Sequence, residues 1–217
     1  MSFENKTALV TGGGSGIGQA AAGALTGLGA SVLLVGRTEK KLKATTRSIG
    51  EGASWAVADL SDSEQARKIA LKAAEKTGRI DILVNSAGVY GRGNILETEE
   101  KDWDNIVDNN LKQVFLISRS VIPFMVKDGG AGVIINIAST LGIKSVPNCA
   151  AYCAAKAGLV SLTRSMALDH AAGHIRVNCI CPGVVETPIH SETIEAMGVD
   201  FWREQFGPSV AWLFAAK

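Results

Sequence analysis

The sequence predicts a doubly wound α/β fold, a parallel sheet covered by helices on both faces. Short β-branched runs alternate with longer segments of helical period. A glycine-rich stretch stands between the first such run and the first helical segment. The 217 residues, 47% apolar and 20% charged, are enough for one domain with a substantial core and too few for two. Acids and bases are mixed along the chain to a formal charge of +1, with no basic block of the kind that phosphate backbones or anionic lipids select. No leader-like start and no bilayer-length apolar stretch is visible. The expectation is a cytoplasmic single-domain protein, residues 1–217, with no nucleic-acid or membrane partner.

The first strand is expected at residues 6–10, nearly continuous in apolar residues as a strand buried on both faces should be. Directly after it, Thr11-Gly12-Gly13-Gly14-Ser15-Gly16-Ile17-Gly18 leads into an alanine-rich helical run, 19–28. Between a strand and a helix such a loop aims backbone N–H groups and the positive helix end at an anion. Gly12 then permits the sharp turn, Gly16 lets the backbone approach a pyrophosphate, and Gly18 allows helix to pack on sheet. A flexible turn without a ligand is the weaker alternative in this context.

The second strand, 31–35, ends in Val35-Gly36-Arg37. In dinucleotide folds this position normally carries a carboxylate that takes the adenosine 2′-hydroxyl and repels a 2′-phosphate. Here no acid occupies it, and Arg37 beside it is suited to pair with a phosphate. NADP is therefore favoured, with NAD the alternative. Lys40 and Lys41 read equally well as an added positive field or as the solvated face of the next helix.

Further strands are expected at 54–58, 82–84, 133–138 and 175–180. The longest helix, about 99–127, contains Pro123, so a bend or break is expected there. Asn85-Ser86-Ala87-Gly88 follows the fourth strand, Ser139 ends the fifth, and Pro182-Gly183-Val184-Val185-Glu186-Thr187-Pro188 follows the sixth. These all fall at the C-terminal sheet edge, where open α/β sheets place ligands.

Tyr152-Cys153-Ala154-Ala155-Lys156 starts the helix after the fifth strand, and i to i+4 spacing puts phenol and ammonium on one face. For a tyrosine to act as a base near neutrality its pKa must fall by roughly three units, about 4 kcal/mol of selective phenolate stabilisation. A close lysine and an oxidised nicotinamide together are suited to supply it. Alone, Y-x3-K is commonly a surface tyrosine with a solvated lysine; the convergence of four segments on one crevice gives it weight. The cysteine pairs Cys149/Cys153 and Cys179/Cys181 lack thiolate-metal spacing on turns, and all four read as small apolar thiols at a helix start and in a buried strand. No metal is expected.

These residues carry a resemblance: the chain is similar to the short-chain dehydrogenase/reductase family of single-domain Rossmann type, from the N-terminus to about Pro188. The resemblance implies strand order 3-2-1-4-5-6 in three α/β/α layers. It implies that residues 11–18, including Gly12, Ser15, Gly16, Ile17 and Gly18, bind the pyrophosphate, that Asp59 and Leu60 hold the adenine, and that Asn85, Ala87 and Gly88 belong to the cofactor site, with Ser86 replacing the family's second asparagine. Tyr152 would pass the proton. Lys156 would lower its pKa and hold the nicotinamide ribose, Ser139 would hydrogen-bond the reacting oxygen, and Asn110 would position a helix and a water linking Lys156 to solvent. Pro182, Gly183, Val185 and Thr187 would border the nicotinamide, the last two at its carboxamide.

The resemblance also implies a further helix and a seventh strand after the Pro-Gly motif, and no strand is recognisable after the sixth. The expectation is a core, 1–188, followed by a substrate lid and helical segment, 189–217, with Trp202, Phe206, Trp212 and Phe214, and without the seventh strand. A homodimer or homotetramer is implied, and is put in doubt by that departure. Thr140, Leu141, Val146, Asn148 and Cys149 are expected to line a pocket with no charged anchor except the lid's Arg203. The activity expected is hydride transfer between NAD(P) and a carbonyl or secondary alcohol. The rivals are a dinucleotide-binding sensor or scaffold without turnover, and a nucleotide-sugar epimerase or dehydratase, for which the chain has no room.

Overall fold

The computed structural model of the chain describes residues 2–185 and 187–190. The expected lid aromatics, Arg203, Glu186 and the question of a seventh strand lie outside these residues. Among the described residues six strands form one parallel sheet in the order β3-β2-β1-β4-β5-β6: β1 Thr7–Thr11, β2 Ser31–Gly36, β3 Ala53–Val57, β4 Ile82–Asn85, β5 Gly132–Ile137 and β6 Ile175–Ile180. Every strand was expected, with ends displaced by at most one residue. The chain reverses direction across the sheet between β1 and β4, which opens the crevice where doubly wound folds bind ligands.

Among the described residues six α-helices cover the sheet: α1 Gly16–Gly27, α2 Glu39–Ile49, α3 Ser63–Ala74, α4 Glu100–Val107, α5 Gln113–Val126 and α6 Ala150–Asp169. Alternation along the strands divides the core. Leu9, Leu33, Leu83 and Ile134 face α3, α5 and α6, packing on Ile69, Ile117, Val121 and Met166. Ala8, Val10, Leu34 and Val84 face α1 and α2, packing on Ala22 and Leu42. Burying each such aliphatic side chain contributes about 1.5–3 kcal/mol.

Two expectations fail for identifiable reasons. Burial on both faces does not hold for β6, whose Arg176 and Asn178 are exposed while Ile175 and Val177 are buried. Among the described residues no helix covers that side of β6; Cys179 and Cys181 lie on the other face, half-buried against Ala138 and Leu159. Second, α5 runs through Pro123 without a break. Pro123 and Arg119, whose carbonyl loses its donor, both lie on the exposed side of the helix, where solvent replaces the bond. The irregularity falls earlier, at a π-helical turn over Asp108–Lys112 that joins α4 to α5.

Candidate active site

The residues of the crevice are held by the loops that leave β1, β4, β5 and β6. After β1 the chain turns at Gly12, with φ of +66°, and again at Gly16, with φ of +56°, values that favour glycine. A Cβ on Gly18 would stand 2.4 Å from the Gly12 carbonyl oxygen, so only glycine lets α1 start this close to the turn. Ser15 caps α1 with its backbone and makes no side-chain bond to it. The first-turn N–H groups of α1, which no helical carbonyl reaches, therefore point into the crevice at the positive helix end.

Beyond β4, the Thr11 hydroxyl accepts the N–H groups of Ser86 and Ala87, both at 3.1 Å, fixing that loop beside the glycine turn. Gly88 is equally constrained, because a Cβ there would lie 2.7 Å from Asn110 Oδ1 and 3.6 Å from Lys156 Nζ. Asn110 sits in the π-helical turn, where its Nδ2 donates to the carbonyls of Ile106 at 2.8 Å and Val89 at 2.9 Å. Its Oδ1 is buried without a hydrogen-bond partner. A buried acceptor left open costs about 1–3 kcal/mol, and here it lies beside the lysine.

Tyr152 and Lys156 share the buried face of α6, 8% and 5% exposed. The ammonium donates to the Ile137 carbonyl at 2.9 Å and lies 5.7 Å from the centre of the Tyr152 ring. Burial pushes the Tyr152 phenol up to about 12, opposed by a hydrogen bond from Ser139, and pushes the Lys156 ammonium down to about 8. Both shifts come first from loss of water, which disfavours whichever form is charged.

Two adjoining cavities follow. The larger, about 690 Å³, is lined by the glycine loop, residues 86–88, Ser139, Tyr152, Lys156 and the segment from Pro182 to Val185, with Thr187. The smaller, about 130 Å³, is lined by Arg37, Asp59, Leu60, Asn109 and Gln113, and shares Gly12, Ala87 and Gly88 with the first. Asp59 is held below the usual carboxylate range by hydrogen bonds from Ser61, at 2.7 Å from the hydroxyl and 3.0 Å from the backbone, with Arg37 adding its charge. A long ligand with an anionic middle fits this pair of chambers. The glycine turns that a Cβ would fill, the open helix end and the unpartnered Asn110 Oδ1 all agree with a dinucleotide.

Most expected site residues line these cavities, and the exceptions have reasons. Asn85, 2% exposed, turns into the sheet, where its Nδ2 donates to Asn136 Oδ1 at 2.9 Å; Asn136 Nδ2 donates in turn to Thr163 at 2.9 Å. Its side chain ties β4 to β5 and α6, outside both linings. Gly18 and Asn110 stand behind the walls. Asn148 has φ of +57° and accepts the Gly93 N–H at 2.9 Å, outside the lining, whereas Thr140, Leu141, Val146 and Cys149 are in it. Sequence reasoning missed Tyr90, whose ring meets Tyr152 edge-on at 5.0 Å and whose hydroxyl is 3.2 Å from Cys149 Sγ, and it missed Arg92, a charge in the wall. Both come from a loop whose place is set by contacts with distant chain. Among the described residues there is no cluster of three metal-ligating side chains, and no helix is long and apolar enough to cross a membrane.

A family model described as short chain dehydrogenase matches residues 6–198. Meso-2,3-butanediol dehydrogenase of Serratia marcescens is 39% identical over 188 residues, 86% of this chain and 74% of that protein. A 3-oxoacyl-[acyl-carrier-protein] reductase of Thermotoga maritima is 35% identical over 193 residues, 87% of this chain and 78% of the relative. Among solved structures, an actinorhodin polyketide ketoreductase variant with NADPH superposes with a TM-score of 0.85 at 35% identity, covering 93% of this chain and 79% of the other. A 3-ketoacyl-(acyl-carrier-protein) reductase from Brucella melitensis complexed with NADH gives 0.83 at 34% identity, covering 88% and 80%.

Proposed function

The chain belongs to the short-chain dehydrogenase family of NAD(P)-dependent oxidoreductases acting on CH–OH groups, and we propose that it reduces a carbonyl compound, or oxidises the matching secondary alcohol, with Tyr152 as proton donor and acceptor. The observation that carries this reading is the buried Tyr152 phenol, facing the larger cavity with Ser139 as its hydrogen-bonding neighbour and Lys156 one helical turn behind.

The nicotinamide supplies the hydride when bound. Against it, the chain's own groups act on the oxygen. Tyr152 Oη gives its proton to the carbonyl oxygen as negative charge develops there, and Ser139 Oγ donates a hydrogen bond to the same oxygen. Lys156, anchored on Ile137, presents a cation to the phenol and the ribose. Asn110 Oδ1, the open acceptor on the lysine side of Gly88, holds the water through which the proton is replaced. Thr187, whose Cγ2 would stand 3.1 Å from a Cβ on Gly16, closes the wall over the glycine turn with Val185.

For the cofactor, Arg37 at the smaller cavity supports NADP over NAD, since an arginine pairs with a 2′-phosphate and nothing acidic ends β2. A homodimer or homotetramer, as the family resemblance implies, is the assembly proposed. Residues 1–188 form the cofactor-binding and catalytic core in this reading, with 189–217 as its lid. The test is loss of NADPH or NADH absorbance on a panel of ketones and aldehydes, with alcohols for the reverse direction. Turnover is expected; tight cofactor binding with no turnover on the whole panel supports the scaffold reading instead.

A further inference from the structure

The larger cavity carries a cation that the proton transfer above does not use. Among its described lining residues only Lys156 and Arg92 bear a formal charge. Lys156 is buried and bonded to Ile137. Arg92 is exposed in the wall, and no carboxylate of the described residues lies within ion-pair distance of it.

Its backbone is fixed at the reacting end of the cavity. Gly93 forms a parallel bridge with Cys149, the residue that caps α6, and its N–H donates to the Asn148 carbonyl at 2.9 Å while its carbonyl accepts the Ala150 N–H at 3.3 Å. Two residues before Arg92, Tyr90 packs edge-on against Tyr152 itself. Between them Gly91 lies so close to α4 that a Cβ would meet Ile106 at 2.5 Å. Arg92 is thus pinned beside the Tyr152 end, on chain bound to α4 and α6 and not to the glycine loop where a pyrophosphate would lie. The cavity it helps line is otherwise largely apolar here, with Leu141, Val146 and Cys149 among its lining residues. The planar fork of a guanidinium matches a carboxylate or a phosphate.

We propose that Arg92 anchors an anionic group on the substrate, so that the enzyme acts on oxo acids, hydroxy acids or phosphorylated ketones in preference to neutral carbonyl compounds. This rests on the reading of the cavity as a carbonyl reductase site. It also replaces the expectation of a pocket whose one possible charged anchor is Arg203.

The test follows cofactor oxidation on a series of oxo acids, the ketone one to six carbons from the carboxylate, each beside its methyl ester. Dihydroxyacetone phosphate beside dihydroxyacetone gives the phosphate arm. For at least one pair the charged member should exceed the neutral one by about tenfold or more in kcat/KM. The arm in which this happens identifies the anion. Arg92→Gln should lower that charged-to-neutral ratio by about 10–100-fold, chiefly through KM. Neutral members equal to or better than charged ones in every pair overturn the inference while leaving the reductase reading intact. An equal loss on both members in the variant, accompanied by weaker NADPH binding in a fluorescence titration, also overturns it and assigns Arg92 to the cofactor. No turnover on any member, neutral or charged, defeats both.

Discussion

Lys156 Nζ donates to the backbone carbonyl of Ile137 at 2.9 Å, joining the helix that carries Tyr152 to the strand end that leads into Ser139. One bond therefore ties together the two elements that carry Tyr152 and Ser139, the residues proposed to act on the reacting oxygen. It also uses one of the three ammonium donors, leaving two for the ribose contact and the relay through Asn110 proposed above.

The depressed Lys156 ammonium gives a pH dependence with a defined sign. Its pKa falls from 10.5 to about 8 on folding. Between those values the unfolded chain holds a proton that the folded chain has released, so this residue's contribution to stability rises with pH across that window. Below it the buried cation costs about 3 kcal/mol. In urea unfolding, Lys156→Met should gain on the parent most at pH 7, and the difference should shrink by pH 10.5. A difference that stays flat over that range contradicts the assignment. If the cation is also required for carbonyl reduction, kcat/KM of that reaction should fall as pH passes about 8.

Arg37 lines the smaller cavity, the end proposed to take the adenosine part of the cofactor. Replacing Arg37 with Gln should raise the Kd for NADPH by about 10–100-fold, the loss expected for a charge-assisted pair with phosphate. NADH should change by less than about threefold, because it has no 2′-phosphate to lose. Fluorescence titration of both cofactors reads this. Equal losses would mean that Arg37 stacks on adenine.

Two glycines of one segment should respond in opposite directions. Gly18→Ala would drive a Cβ to 2.4 Å from the Gly12 carbonyl oxygen, with Gly12 C at 2.8 Å and Thr11 O at 3.1 Å. It should destabilise the fold by about 1–3 kcal/mol and weaken dinucleotide binding. Gly23→Ala, inside α1, meets only Ile49 Cγ1 at 3.9 Å. It should stabilise by about 0.5–1 kcal/mol. Thermal unfolding and NADPH titration of the two variants check both directions, and similar behaviour would contradict the close packing of α1 on the turn.

Much of this site was legible in the sequence because the chemistry is local. Thr11 to Gly18 reads as a strand-to-helix anion turn, and Tyr152 with Lys156 as one helical face, from spacing alone. Parallel pairing was legible too, since Val32–Val35 and Ile82–Val84 are apolar without alternation. The π-helical turn under Asn110 was not, because one wide turn leaves no period in the side chains; the only irregularity visible was Pro123, and solvent at the exposed Arg119 side absorbs it. Asn85 was expected at the cofactor site, and no sign in the sequence shows that its side chain pairs with Asn136 across β4 and β5, a partner 51 residues away. Arg92 reads as an ordinary loop cation until Gly93 is found bridged to Cys149, 56 positions on. Contacts of that range are set by the sheet, and no short motif records them.

The most direct measurement is single-turnover reduction by Tyr152→Phe, alongside NADPH binding by the same variant, on a carbonyl compound the parent enzyme reduces. The change removes one hydroxyl and keeps the ring, so the contact with Tyr90 and the helix survive. The rate should fall by about 1,000-fold or more while the Kd for NADPH stays within about threefold, because only the proton donor is gone. A variant that keeps most of its rate would show that another group protonates the oxygen, and the assignment of Tyr152 would be wrong.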